Sequence, residues 1–400
     1  MRLADFFSGA AAKRIRPVEA DPDTSNQHEF NGINAFRAFL GEARHSFETV
    51  FLYLADDGEP IHAAGQTTWY DARTDQPNRT AEYRLCFRSS AVSERFRPVD
   101  LLIIGLRPNG TLLIIAADGE SSIGGQLLWL FGLETPDGPG VISGTPALDR
   151  GVDYAARCVL DSIGVDTPPE PEDIVLLNGR FGTELPSARA FSEFAREHTR
   201  GCNPMQDPDH ALIAWLDTEQ RFFRAFERLL VEERLRTGFV DPTGDVDVDG
   251  FVSFSLSVQN RRKSRAGHSL ENHLEELFAQ SSIAFERGAI TERRSRPDFL
   301  FPDSDSYFDE SCPLDRLAVL GAKATCKDRW RQVTAEADRI DTKHLVTLEP
   351  GISVHQTKEM KSRNVQLVVP RDLHQTYTAD QQRWLWTIAD FIGHVRGQQA

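Results

Sequence analysis

The chain of 400 residues carries 45 Lys+Arg against 60 Asp+Glu, a formal charge of −15, and 40% of it is hydrophobic. That length implies two or three domains able to bury their own cores, and no apolar run is long enough to predict a membrane-spanning helix. The acidic balance argues against a nonspecific nucleic-acid coat. It leaves room for a nucleic-acid enzyme whose basic residues cluster locally, as they do at 261–265 and 293–296.

The opening, MRLADFFSGAAAKRIRP, has an apolar patch that Ser8 and Gly9 break too early for a signal peptide, so a cytoplasmic protein is expected. The five cysteines (Cys86, Cys158, Cys202, Cys312, Cys326) show no zinc-site spacing and read as reduced thiols. Pro17 to Asn31 reads as loop, and 33–44 as a short helix.

From 47 to 134 the pattern is β-rich. FETVFLYLAD, AEYRLCFRSS, VDLLIIGLRPNGTLLIIAADG and QLLWLFGLE carry branched and aromatic residues between turns, and Asn109-Gly110 between two apolar runs signals a hairpin. The expectation is a compact β-barrel or sandwich. Its segment TTWYDARTDQPNRTAEYR gathers Trp69, Tyr70, Arg73, Arg79 and Arg84. Arginine beside aromatics suits phosphate contact and base stacking; the alternative is that the aromatics are core and the arginines a solvated rim. A helix is expected near 152–163, and PPEPED at 168–173 reads as linker. The resulting division is a β-rich domain at 1–165, a linker at 166–180 and a second domain at 181–400.

Residues 186–199 and 208–236 read as helices. In the second, Leu212, Leu216, Phe223, Phe226, Leu230 and Val231 recur at helical spacing. The acidic 241–250 loop lacks the ordered ligands and closing glutamate of a calcium loop and reads as a turn. The basic cluster Arg261, Arg262, Lys263 and Arg265 is expected to precede a helix starting at Gly267 or Ser269, with Leu270, Leu274, Leu277 and Phe278 as its buried stripe. Glu271 and Glu275 share a face beside that stripe. They are either solvent-facing or a source of a carboxylate. Arginine reads guanine and asparagine reads adenine or phosphate, so the cluster suits DNA contact; a charged loop is the alternative.

Pro297-Asp298 opens the apolar run Phe299-Leu300-Phe301, and a second run, Leu317 to Leu320, leads into Lys323 and Lys327. These runs read as neighbouring strands that bring an acid and lysines together. A metal-dependent phosphodiesterase needs that set: aspartate holds Mg²⁺ through oxygen, and lysine activates water or steadies phosphate charge. Downstream, 328–341 reads as a helix with Trp330, Val333 and Ala337 inward. KHLVTLEP is a strand, 353–361 a helix, NVQLVVP a strand and 379–396 a closing helix. The alternation predicts an α/β core with a partly parallel sheet.

The segments NRRKSRAG, SLE-x-HLE-x-LF, RPDFLFP, the Tyr307 that follows, K-x-TCKDRWRQ, LVTLEPGIS and QLVVP-x-x-LH resemble, in this order, the catalytic domain of EcoRII-type restriction endonucleases over about 181–390. The resemblance implies an α/β restriction-endonuclease-like catalytic domain, a mixed sheet flanked by helices, behind a β-rich barrel-like amino-terminal domain. It implies a type II site-specific deoxyribonuclease acting with Mg²⁺ on duplex DNA as a homodimer, beside a cognate DNA methyltransferase, in restriction or phage defence. Residue by residue it makes Asp298 a metal ligand and Lys323 the lysine of a variant PD-(D/E)xK site. Lys327 and Tyr307 complete the site, and Glu271 (less surely Glu275) supplies an acid from the helix. Asn260, Arg261, Arg262, Lys263 and Arg265 match the DNA-contacting segment. The position two before Lys323, acidic in most such nucleases, is Gly321; the EcoRII-type variant also lacks that acid. No motif match reaches the amino-terminal part. Alternative readings are a nuclease for modified DNA and a DNA-binding protein with a decayed site.

Overall fold

The computed structural model describes the chain except residues 21–27, 57–58, 77, 134–141, 143–145, 167, 183, 241–243 and 327–328, and the side chains at 263 and 266. It divides into two units, Met1–Asp166 with Pro350–Ser353, and Thr167–Glu349 with Val354–Ala400.

The first unit is built on seven strands: β1 (Gly9–Arg14), β2 (Glu29–Asn31), β3 (His45–Leu54), β4 (Ile61–Asp71), β5 (Tyr83–Phe87), β6 (Leu101–Leu106) and β7 (Leu112–Ala117). Their order is β1-β6-β7-β3-β4-β5-β2, a curled half-barrel with β1 and β2 at its edges. Only β3 and β7 pair in parallel; the other neighbours are antiparallel. β6 and β7 form the expected hairpin, closed by Arg107 N–H to the Thr111 carbonyl, with Gly110 at φ 82° as such a turn requires. Their apolar runs are unbroken because both faces are covered. Leu101 and Ile103 join one cluster with Phe7, Leu127 and Phe131; Leu102 and Ile104 join another with Phe30, Phe51 and Trp69.

Helix α1 (Asn34–Leu40) lies where the sequence places it. Within QLLWLFGLE, Gln126–Phe131 does not form a strand but belongs to α2 (Ser122–Phe131), started by the Ser121 hydroxyl accepting from Gly124 N–H and ended by Gly132 in the left-handed region. A short, wholly apolar run has no readable period, so caps decide it. Helix α3 (Tyr154–Ser162) closes this unit.

The stretch expected as linker is also different. Pro171–Phe181 is helix α4, and it belongs to the second unit: Leu177 is buried and Phe181 stacks on Phe191 with centroids 5.8 Å apart. It packs with α5 (Ala188–His198) and α6 (Pro208–Thr237).

The second unit holds a five-stranded mixed sheet of order β12-β11-β10-β9-β8, with β8 (Glu286–Arg287), β9 (Phe299–Phe301), β10 (Ala318–Lys323), β11 (Lys343–Thr347) and β12 (Val365–Val368). β8, β9 and β10 run antiparallel; β10, β11 and β12 run parallel. Alternate residues of β9 serve opposite faces. Phe299 and Phe301 meet Phe278 of α7 (Val248–Gln280) at 5.3 Å each, whereas Leu300 joins Tyr307, Val319 and Ala337. α7 is one 33-residue helix, capped by Asp247, so the basic cluster lies within it and not before it. α8 (Val354–Ser362) and α9 (Ile388–Gln399) complete the flanks. The expected 379–396 helix is split into Ala379–Gln382 and α9 by a fresh capping box at Thr387, and the 328–341 helix shrinks to Trp330–Val333.

Candidate active site

Antiparallel pairing sets Leu320 opposite Phe299, so one step further Asp298 lies across from Gly321 at the end of the ladder. There the Asp298 Oδ2 accepts from Ala322 N–H at 2.6 Å and from Lys323 Nζ at 2.7 Å. Both side chains keep some exposure, 16% for Asp298 and 14% for Lys323. An acid in place of Gly321 would force its neighbours to shift: a Cβ there would sit 2.6 Å from Val333 Cγ2. A second carboxylate comes from a residue the sequence reading missed. Glu336, next to buried Ala337, is pushed up to about 7 by burial, with the charge of Asp298 adding to the rise and Lys323 and Lys343 opposing it. Its Oε2 is buried and has no hydrogen-bond partner among the described residues. The only sequence signal for it was a lone acid beside an inward alanine.

Glu271 is placed elsewhere. Arg287 binds its carboxylate at 2.6 Å and that of Glu275 at 2.6 Å, and Glu275 also meets Arg189 at 2.9 Å. Arg287 pairs with Phe299, so this cluster lies on the Phe299 face of β9, while Asp298 alternates to the face of Leu300 and Ala337. Glu271 is engaged in holding β8 to α7, and the acid whose charge Asp298 feels is Glu336. Tyr307 is likewise not a reacting group here. It is fully buried, and its hydroxyl donates to Glu292 at 2.6 and 2.7 Å while accepting from Arg339 N–H at 3.1 Å. Burial and the Glu292 carboxylate both push its phenol pKa up. Lys327 lies outside the described residues.

Of the expected DNA-contacting residues on α7, Asn260 is exposed and Arg261 half-buried. Arg262 is exposed yet holds buried Glu227 through Nε at 2.7 Å. Arg265 is core: it is 9% exposed, 4.1 Å over the Phe191 ring and 3.8 Å from Glu219. A helical cluster turns one residue in three or four inward, which a loop would not do. The Lys263 side chain lies outside the description. In the first unit Trp69 is core, wholly buried, stacked on Tyr83 at 5.2 Å and donating to the Gly41 carbonyl. Tyr70 is half-buried, 3.3 Å from Glu29, and Arg84 is held by Glu29 and Glu82. Arg73 pairs with Glu82, and Arg79 is exposed. Trp69 and Arg84 thus serve the sheet, in keeping with the core-and-rim alternative.

The second unit is thus a mixed sheet, flanked by helices, that ends in an Asp–Lys pair. Residues 223–392 match the family model "EcoRII C terminal". The type II restriction enzyme EcoRII of Escherichia coli is 41% identical over 217 residues, which cover 54% of this chain and 52% of that enzyme; the match thus spans about half of the relative's length. Among solved structures, metal-depleted Ecl18kI in complex with uncleaved, modified DNA gives TM-score 0.44 at 20% identity, covering 57% of this chain and 83% of that one. The PspGI–substrate DNA complex gives 0.41 at 12% identity, covering 60% and 94%. No helix among the described residues is long and apolar enough to cross a membrane.

Proposed function

We propose that the chain is a Mg²⁺-dependent, sequence-specific endonuclease of duplex DNA, a type II deoxyribonuclease of restriction or phage defence. The observation that supports it best is the 2.7 Å contact of Asp298 with Lys323 at the end of the β9–β10 ladder, with Glu336 near enough to feel both charges. These residues fit a hard cation: the buried Oε2 of Glu336 has no hydrogen-bond partner among the described residues, and positive charge beside it would offset its burial and the lesser repulsion from Asp298. Asp298 and Glu336 would hold Mg²⁺. When bound, the ion would polarise the scissile phosphate and stabilise the leaving oxygen. Lys323, now fixed by Asp298 Oδ2, would turn its ammonium to orient the attacking water and to steady phosphate charge; only as the neutral amine could it take the water's proton. The Ala322 N–H would keep Asp298 aimed once Lys323 has turned away.

The reading includes a homodimer, duplex DNA as substrate and a methyltransferase protecting the host's own sites. The first unit would read DNA or hold the enzyme in check. Digestion of methylated and unmethylated plasmids with Mg²⁺ and with EDTA, followed by sequencing of the ends, tests it. Cutting with Mg²⁺ and none in EDTA is expected; no cutting of either plasmid would favour a decayed site.

A further inference from the structure

The segment Thr291–Arg296, directly before Pro297-Asp298, is strained and anchored at once. Arg293 stands at φ 56°, ψ 22° and Arg294 at φ 61°. Side chains with a Cβ adopt that region only with strain, and neither position uses the glycine or asparagine that would avoid it. The turn is closed by Thr291 N–H to the Ser295 carbonyl at 2.9 Å and Ser295 N–H to the Glu292 carbonyl at 3.0 Å. It is tied down from outside by the buried Tyr307 hydroxyl on Glu292, by Asp338 N–H on Glu292 at 3.3 Å, and by Arg293 to Asp338 at 2.9 Å. The charge of Arg293 is thereby used within the protein.

Arg294 and Arg296 are different. Both are exposed and neither side chain has a partner among the described residues, in a chain with a formal charge of −15. They stand within four residues of the carboxylate proposed to hold the metal, at the head of the same strand. A protein that needs only a turn here would use glycine. A protein that needs two guanidinium groups held beside a scissile phosphate would accept the strain and anchor it.

We propose that the 292–296 turn is a phosphate-contacting element that sets Arg294 and Arg296 against the DNA backbone beside Asp298, with Tyr307 as its buried anchor. This rests on the nuclease reading above and adds the contacts that seat the strand. It also gives Tyr307 a positioning role without placing it at the reacting atoms.

The test uses the full chain and a labelled 40-bp mixed-sequence duplex in EDTA, with affinity measured by fluorescence anisotropy over a salt series. Arg294→Ala and Arg296→Ala should each weaken binding by roughly three- to tenfold and make the log–log salt dependence shallower by about 0.9. Arg294→Lys should keep that slope. Arg294→Gly separates function from folding: relief of the left-handed strain should raise the thermal midpoint while affinity falls as far as in Arg294→Ala. Parental affinity and slope in the alanine and glycine variants would overturn the proposal while leaving the nuclease reading intact. A fall in the midpoint of Arg294→Gly would overturn the strain assignment and the proposal with it. Failure of the parent to bind the duplex at low salt would overturn the nuclease reading, and this inference too.

Discussion

Asp298 Oδ2 accepts from Lys323 Nζ at 2.7 Å, and Glu336 feels the charges of both: burial pushes its carboxyl up to about 7, Lys323 opposes the rise and Asp298 adds to it. Two carboxylates so arranged are poorly matched to one another and well matched to a divalent cation. Mg²⁺ should therefore raise the thermal midpoint of the parent. Glu336→Gln should melt higher than the parent without metal, because an amide is cheaper to bury there, and should respond less to Mg²⁺. Equal Mg²⁺ responses in scanning calorimetry would remove Glu336 from the site.

Gly321 predicts the outcome of restoring the usual acid. Its Cβ would lie 2.6 Å from Val333 Cγ2, so Gly321→Asp must displace the Trp330–Val333 helix. We expect a loss of about 1–3 kcal/mol in denaturant unfolding and no gain in cleavage. A variant as stable as the parent and cutting faster would show that the cleft has room for a standard site.

The amino-terminal limit of the catalytic unit is a further test. A fragment starting at 168 keeps α4, with Leu177 buried and Phe181 against Phe191 and Phe226; one starting at 182 loses both. The shorter fragment should be less stable by about 3–5 kcal/mol or insoluble. Equal urea midpoints would return α4 to the linker role.

The core of this unit should fail in acid by way of His344. It is 3% exposed on β11, its ring 5.1 Å from Phe391 and 5.3 Å from Trp386, and burial lowers its pKa to about 4, with His394 adding to the fall. The folded value lies below the ordinary 6.5, so protons bind the unfolded chain preferentially. Stability is full above about pH 6.5 and is lost as pH falls toward 4, by on the order of 2–3 kcal/mol. His344→Gln should flatten that loss in urea titrations between pH 4 and 7. An unchanged slope would assign the acid sensitivity elsewhere.

What could be read from the sequence follows from how local each signal is. Asp298 and Lys323 sit at the ends of two short apolar runs bounded by turn residues, and strand pairing carries the acid to the lysine. Glu336 gives no such signal, because it is placed by the packing of Ala337 and the tie of Asp338 to Glu292. Glu271 was misplaced for a related reason: its helix face was legible, but the side of β9 that face covers is fixed by Arg287 pairing with Phe299. Arg265 looked like part of a basic loop because nothing near Gly267 shows that the helix had begun at Val248. Trp69 beside arginines had two readings, and its stacking on Tyr83 decides for core.

The central claim is that Asp298 and Lys323 flank the scissile phosphate. It is tested by the affinity of parent, Asp298→Ala and Lys323→Ala for one duplex in EDTA, together with cleavage in Mg²⁺. Both variants should lose cleavage. Without metal, Asp298→Ala should bind as tightly as the parent or tighter, since a negative charge beside phosphate is gone, and Lys323→Ala should bind more weakly. Two variants that bind alike and still cut would contradict the account.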